Sequence, residues 1–350
     1  MPRLRRSDPG SPGFSRRKSG TGWTFLDVDG ERIADEEVIA RAKSLVIPPA
    51  WTDVWICPDP QGHVQATGTD AAGRRQYRYH PDWHLERSRA KFDEMLDFAR
   101  ALPVLRGRVE DDLQRKQLDA QKTLAVTVRL LDRGFFRIGS EDYAEQHGTY
   151  GLATMRREHV RVSGEAILFD YLGKHGLRQI KHVVDPETAR IVTTLKRRRG
   201  GGEELLAYKQ DGTWHDVRSE HINAYLKDRS GLDVSAKDFR TWNATVLASI
   251  ALSVSGAALR TKTARKRAEK RAVDEVARYL GNTPTVARNS YIDPRVFDRF
   301  ADGLTISAVD LGEVEPGAPA THGPAEAAVL DLIGDQVGQP AFGSELVDAA

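Results

Sequence analysis

Apolar residues recur along this chain with two periods, and the period changes once. Between residues 44 and 80 the apolar runs are short: Ser-Leu-Val-Ile, Asp-Val-Trp-Ile-Cys, His-Val-Gln-Ala-Thr and Gln-Tyr-Arg-Tyr. Pro48-Pro49, Pro58-Asp-Pro60 and Ala72-Gly-Arg separate them. Short runs of β-branched and aromatic residues bounded by turn formers predict strands. From Leu85 the spacing turns helical, with apolar side chains three and four apart over 90–102 and 111–132. The pattern predicts an α+β chain: a small β-rich N-terminal domain over 21–85 and a mainly α-helical domain over 86–313. Strands at 158–172 and 177–184, joined through Gly173-Lys-His-Gly176, predict a β-hairpin inside the helical part.

The later helices carry their own start and stop signals. Residues 186–199 form a helical pattern with proline in its first turn. Ser235 and Asp238 make a capping box before an apolar stripe of Phe239, Trp242, Val246, Leu247, Ile250 and Val254. Residues 259–280 predict a very basic helix ending at Gly281. Pro284 opens a short helix that Asp293-Pro294 ends. At the termini the periodicity disappears. Residues 1–20 are expected to be a disordered basic arm, and 314–350 a mostly disordered tail rich in Ala, Gly, Pro and acid, with 325–332 helical.

Charge sharpens this picture. The chain holds 52 Lys and Arg against 50 Asp and Glu, but seven of the acids and none of the bases lie in 311–350, which leaves the rest at +9. A basic body predicts a polyanionic partner held through phosphate contacts. No apolar run approaches the ~18 residues that span a bilayer, and the N-terminal arginines precede no apolar stretch. A cytoplasmic, nucleoid-associated protein with no membrane contact is expected. Cys57 is the single cysteine, so no disulfide or multi-cysteine zinc site is expected within one chain. His80 and His84 stand four apart with Pro81 between them and no third ligand in view. Gly200-Gly-Gly202 lacks the Lys-Ser/Thr of a phosphate-cradling loop. Neither a metal nor a cofactor is expected.

Five residues are candidates for metal-free phosphoryl transfer. Such chemistry needs fixed cations for the extra charge on the non-bridging oxygens, a general acid for the departing sugar oxygen, and an in-line nucleophile. Arg137 precedes a helix start led by Ser140, and Arg240 lies one residue off an apolar helix face. Lys174 sits at a hairpin tip, Asn282 follows Gly281, and Tyr291 lies nine residues after Asn282. Each alone has an ordinary reading as a surface charge, a cap or a core aromatic. Together they point to a tyrosine acting on a nucleic-acid backbone.

The motifs, in order, are Ile47-Pro-Pro-Ala-Trp51, Gln65-Ala-Thr-Gly68, Arg75-Gln-Tyr-Arg-Tyr-His80, Phe136-Arg-Ile-Gly139, Gly173-Lys174, Lys237-Asp-Phe-Arg-Thr-Trp242, and Leu280-Gly-Asn-Thr-Pro284 with Asn289-Ser-Tyr291. This series, spread over residues 23–310, resembles the type IB DNA topoisomerases, most closely their poxvirus-like bacterial branch. The resemblance implies a fold related to the tyrosine recombinases. It also implies relaxation of supercoiled duplex DNA through a 3′-phosphotyrosyl intermediate, without ATP or metal, by a monomer that clamps its substrate. Arg137 and Arg240 match the phosphate-clamping arginines, Lys174 the general acid and Tyr291 the nucleophile. Asn282 stands where many members have a histidine that bonds a non-bridging oxygen. Gln76, Tyr77 and Tyr79 match a strand laid in the DNA major groove, and Tyr143 a phosphate-contacting tyrosine. Two other readings stay open: a tyrosine site-specific recombinase, which usually carries histidine where this chain has Lys237, and a non-catalytic basic DNA-binding protein.

Overall fold

In the computed structural model of the chain, the described residues are 4–255, 261–307 and 319–334, except the side chains of 84–86, 88, 142 and 143. The chain divides into two compact units, Met1–Asp93 and Glu94–Ala350.

The first unit opens with a hairpin of β1 (Ser15–Ser19) and β2 (Gly22–Leu26), followed by α1 (Glu36–Ser44). The expected disordered arm is corrected here: most of residues 4–20 are tied down. Phe14 and Ile56 exchange backbone hydrogen bonds at 2.8 and 2.7 Å. Arg16 donates to the carbonyls of Ile47, Pro48 and Trp51 and lies 3.9 Å from the Trp23 ring centroid. One arginine thus acts as an internal tie, which a basic, Gly/Pro-rich composition does not reveal. Residues 1–3 lie outside the described residues. The strand expected at 44–47 is also absent. Ser44 ends α1, whose N-terminus is capped by the Asp35 carboxylate, 45–47 lead out of it, and Ile47 enters the core. Three antiparallel strands complete the unit: β3 (Thr52–Ile56), β4 (Val64–Thr69) and β5 (Arg75–Tyr79), with β4 central. Phe25, Ala42, Ile47, Ile56 and Ala66 form its core.

α2 (Pro81–Leu113) contains the division between the units, and α3 (Ala120–Gly134) follows. The continuous helix expected over 111–132 is broken at 114–119, because the Asp119 carboxylate accepts the Lys122 N–H and starts α3 afresh. The second unit is mainly helical. α4 (Glu141–His147) leads to a three-stranded antiparallel sheet of β6 (Val160–Ser163), β7 (Ala166–Leu172) and β8 (Arg178–Val184). Then come α5 (Pro186–Arg197), a hairpin of β9 (Ala207–Gln210) and β10 (Thr213–Asp216), and α6 (Ser219–Ser230). α7 (Ala236–Ser253) packs against α8 (Lys262–Leu280), and α9 (Pro284–Ser290) and α10 (Pro294–Ala301) close the run.

α7 departs from its predicted one-sided stripe. From Phe239 to Val246 every residue is buried, whereas Val254 is exposed. Burial all round is possible because most of the polar side chains find partners, although Asn243 Oδ1 and Arg240 Nε have none among the described residues. Thr241, Thr245 and Ser249 each donate to the carbonyl four residues earlier, and Asn243 donates to the Asp132 carbonyl at 2.9 Å. Part of the expected tail is likewise ordered. α11 (Pro324–Ile333) forms, and Glu326 accepts from Trp242 Nε1 at 2.8 Å and from Arg106 at 2.6 and 2.9 Å. Residues 308–318 and 335–350 lie outside the described residues. A small β-rich N-terminal unit and a helical second unit carrying a sheet make the mixed α and β class expected from the pattern.

Candidate active site

The site is assembled at the C-terminus of α8. A helix end leaves carbonyls without intrahelical donors and carries partial negative charge. Gly281, at φ 61°, turns the chain there, and the Asn282 N–H reaches back to the Ala277 carbonyl at 2.9 Å. The carbonyls of Leu280 and Gly281 are left facing side chains. Arg240, only 4 % exposed on α7, donates Nη2 to Leu280 O at 2.9 Å and Nη1 to Phe135 O at 2.7 Å. Phe135 presents its carbonyl because it ends α3 in a left-handed conformation, φ 55°. Arg137 donates Nη2 to Gly281 O at 2.9 Å and also to Asn282 Oδ1. Asn282 Nδ2 is buried with no partner among the described residues, so a donor remains beside the arginine.

The backbone bearing Arg137 is held by close packing. Leu152 N–H donates to Arg137 O at 2.8 Å and Ala153 N–H to Ile138 O at 2.7 Å. A Cβ on Gly151 would come within 2.4 Å of Gly139 Cα, so the two segments meet only because both lack side chains.

Tyr291 caps the C-terminus of α9. Thr245 of α7 fixes the chain just beyond it, accepting the Asp293 N–H at 3.1 Å, with its Oγ1 3.4 Å from Tyr291 O. The Arg240 guanidinium carbon lies 5.2 Å from the Tyr291 ring centroid. Burial pushes the Tyr291 phenol up, but Arg240 by charge and hydrogen bond, then Arg137 and Lys237 by charge, hold it below its ordinary value. Arg240 in turn is lowered to about 10, first by burial and then by Arg137. Lys174 opens the turn Lys174–Gly176 between β7 and β8, in which His175 and Gly176 are both at positive φ. It is exposed, and it lines a cavity of about 350 Å³ together with Arg137, Lys237, Arg240 and Tyr291. Among the described residues no carboxylate lines that cavity.

Four of the five expected residues thus share one cavity, and Asn282 joins through Arg137. Lys237 was not among the expected site residues. Its signal was its place one turn before Arg240 on the same helix, which puts both on one face. In the first unit, β5 alternation separates the expected DNA-binding residues. Tyr77 and Tyr79 share a face, with near-parallel rings 6.0 Å apart, whereas Gln76 points the other way and donates to Asp70 at 2.8 Å. Tyr143 falls in α4, and its side chain lies outside the described residues.

Residues 80–307 match the family model described as the catalytic core of eukaryotic DNA topoisomerase I. The chain belongs to the type IB DNA topoisomerases. Residues 22–70 match the model of the N-terminal domain of bacterial DNA topoisomerase IB, and β5 falls between the two matches. Among curated relatives, the DNA topoisomerase 1B of Acanthamoeba polyphaga mimivirus is 29 % identical over 296 residues, 80 % of this chain and 85 % of that protein. The DNA topoisomerase I of monkeypox virus and the DNA topoisomerase 1B of vaccinia virus (strain Copenhagen) are each 22 % identical over 240 residues, 67 % of this chain and 72 % of theirs. Arg137, Lys174, Arg240, Asn282 and Tyr291 all lie inside the catalytic-core match. As a member of this family the chain is a DNA-binding isomerase.

Proposed function

We propose that this topoisomerase relaxes supercoiled duplex DNA by cutting and resealing one strand, with Tyr291 as nucleophile and with neither ATP nor metal. The observation that carries this reading is the shared cavity, in which the Tyr291 phenol, lowered in pKa by Arg240, faces Arg137, Lys174 and Lys237. The phenol loses its proton to solvent and its oxygen attacks phosphorus. A P–O bond to tyrosine forms, the P–O5′ bond breaks, and Lys174 gives the departing oxygen its proton. Arg137, Arg240 and the free Asn282 Nδ2 are the donors for the charge that builds on the non-bridging oxygens. One ester replaces another, so resealing by the 5′-hydroxyl needs no outside energy. All five residues come from one unit of one chain, which supports action as a monomer. The exposed Tyr77 with Tyr79 supports duplex contact by β5.

The test is relaxation of supercoiled plasmid in EDTA without ATP. The protein should relax the plasmid, and Tyr291→Phe should neither relax it nor form a covalent adduct. Full relaxation by Tyr291→Phe, or a trapped nucleotide on another residue, would overturn the reading.

A further inference from the structure

Lys181 is a buried-side cation that the reaction above does not use. It lies on β8 directly across from Phe169 of β7, so both side chains leave the sheet on one face. Phe169 is fully buried and packs edge-on against Phe136, 4.7 Å between centroids, immediately before Arg137. From this position Lys181 Nζ donates to the carbonyl of Tyr279. The next carbonyl, of Leu280, takes Arg240, and the next, of Gly281, takes Arg137. Three consecutive carbonyls at the end of α8 therefore each hold one cation. The backbone cap does not satisfy them, because the Gly281 and Asn282 N–H groups reach Ala277 and Arg278 instead.

We propose that Lys181 is a positioning residue for strand cleavage, pinning the α8 C-terminus on which Arg240 and Arg137 are aligned. It is not a catalytic residue, since it does not line the cavity that holds Tyr291 and Lys174. It does belong to the hairpin whose tip carries Lys174, so one side chain fixes the general-acid hairpin to the carbonyls that aim the arginines. A second consequence is pH dependence. Burial, then the charges of Arg240 and Arg137, lower the Lys181 ammonium to about 7. A separate cavity beside it is also lined by Arg133 of α3, His182 of β8, and Glu275 and Arg278 of α8. The protonated amine is the form that can serve the carbonyl as a charged donor, and a bound phosphodiester adds negative charge that favours it.

This inference rests on the nucleophile assignment above, so the experiment reads two quantities. One is single-turnover cleavage of a defined duplex from pH 6 to 9. The other is the ionisation of Tyr291 without DNA, from tyrosinate absorbance corrected with Tyr291→Phe. Lys181→Met should keep duplex affinity within about twofold, cleave about 10- to 100-fold slower, and raise the Tyr291 pKa by about half a unit, since Arg240 loses its alignment. Lys181→Arg, which keeps a charge at every pH used, should recover most of the rate and lack the wild-type inflection, which bound DNA moves above 7. A merely structural role would lower the melting temperature of Lys181→Met without moving the phenol. If the wild type cleaves while Lys181→Met matches it in both rate and phenol ionisation, the proposal is wrong. If the phenol shifts as stated but no protein cleaves, Lys181 is placed correctly and the nucleophile assignment fails.

Discussion

Tyr291 must be both a packed aromatic and an incipient anion, and its surroundings resolve the conflict by charge. Burial opposes ionisation, and Arg240, Arg137 and Lys237 outweigh it. A lowered phenol pKa means more phenolate at a given pH, so in Lys181→Arg, where that amine no longer titrates, cleavage should rise with pH to a plateau reached below the ~10 of a free phenol. Adding Lys237→Ala removes one of the three charges. The plateau should move to higher pH, and a stopped-flow cleavage profile unchanged by it would remove Lys237 from the site. Lys174→Ala should bind duplex normally but cut about 10²- to 10⁴-fold slower, the scale of a lost general acid. A substrate with a sulfur leaving group, which needs no proton, should restore the rate, and no restoration would exclude the acid role. Arg137, Lys174, Arg240 and Tyr291 were legible in the sequence only as a set, through their order and the family resemblance, because each alone reads as a surface charge or a core aromatic. Lys237 was not, since a lysine in the first turn of a helix is ordinary until its neighbours in space are known.

At the level of elements, the end of α8 governs the site more than any one side chain. Gly281 holds a left-handed conformation with its would-be Cβ 2.6 Å from Gln179 Oε1. Gln179 is a flexible side chain and can move, so backbone conformation sets the cost. Gly281→Ala should lose about 1–2 kcal/mol in urea unfolding. Because Arg137 and Arg240 rest on that turn, cleavage should slow as well. Unchanged stability would mean the turn relaxes to another conformation. Elements defined by their own periodicity or caps were legible, including the basic helix, the short helix after Pro284 and the hairpin bearing Lys174. Those that depend on partners were not. β1 needs Arg16 bound to carbonyls of 47–51, and α7 is buried all round only because its threonines and serine bond their own backbone. The hairpin of β9 and β10 did have a signal, Asp211-Gly212, both at positive φ, in a stretch with little apolar contrast.

For the whole molecule, the acidic C-terminal region is partly a structural member of the catalytic unit. Glu326 links Arg106 to Trp242, and Asp132 joins the same arginine at 2.9 Å. Arg106 is held above its ordinary value: burial lowers it, and Asp132 and Glu326 more than offset that. Glu326→Ala leaves Arg106 short of one acceptor and Trp242 Nε1 without its partner. It should cost about 3 kcal/mol, the scale of breaking a buried ion pair, seen as a lower unfolding midpoint. A midpoint equal to wild type would show that α11 does not support the unit. The sequence suggested a helix here but not that it docks on the helix carrying Arg240, because the partners lie 84 and 220 residues away.

The arginines that face the cavity lean on main-chain carbonyls, which no proton can neutralise and which hold no full charge. A phosphodiester that takes up the remaining guanidinium donors has no ion pair to break there. The same carbonyls hold the guanidinium groups in place whether the phosphate is joined to tyrosine or to sugar. A clamp held the same way in both states does not bias the exchange toward the cut or the sealed strand. That even balance is what an enzyme needs when it must run the same step in both directions on every turnover.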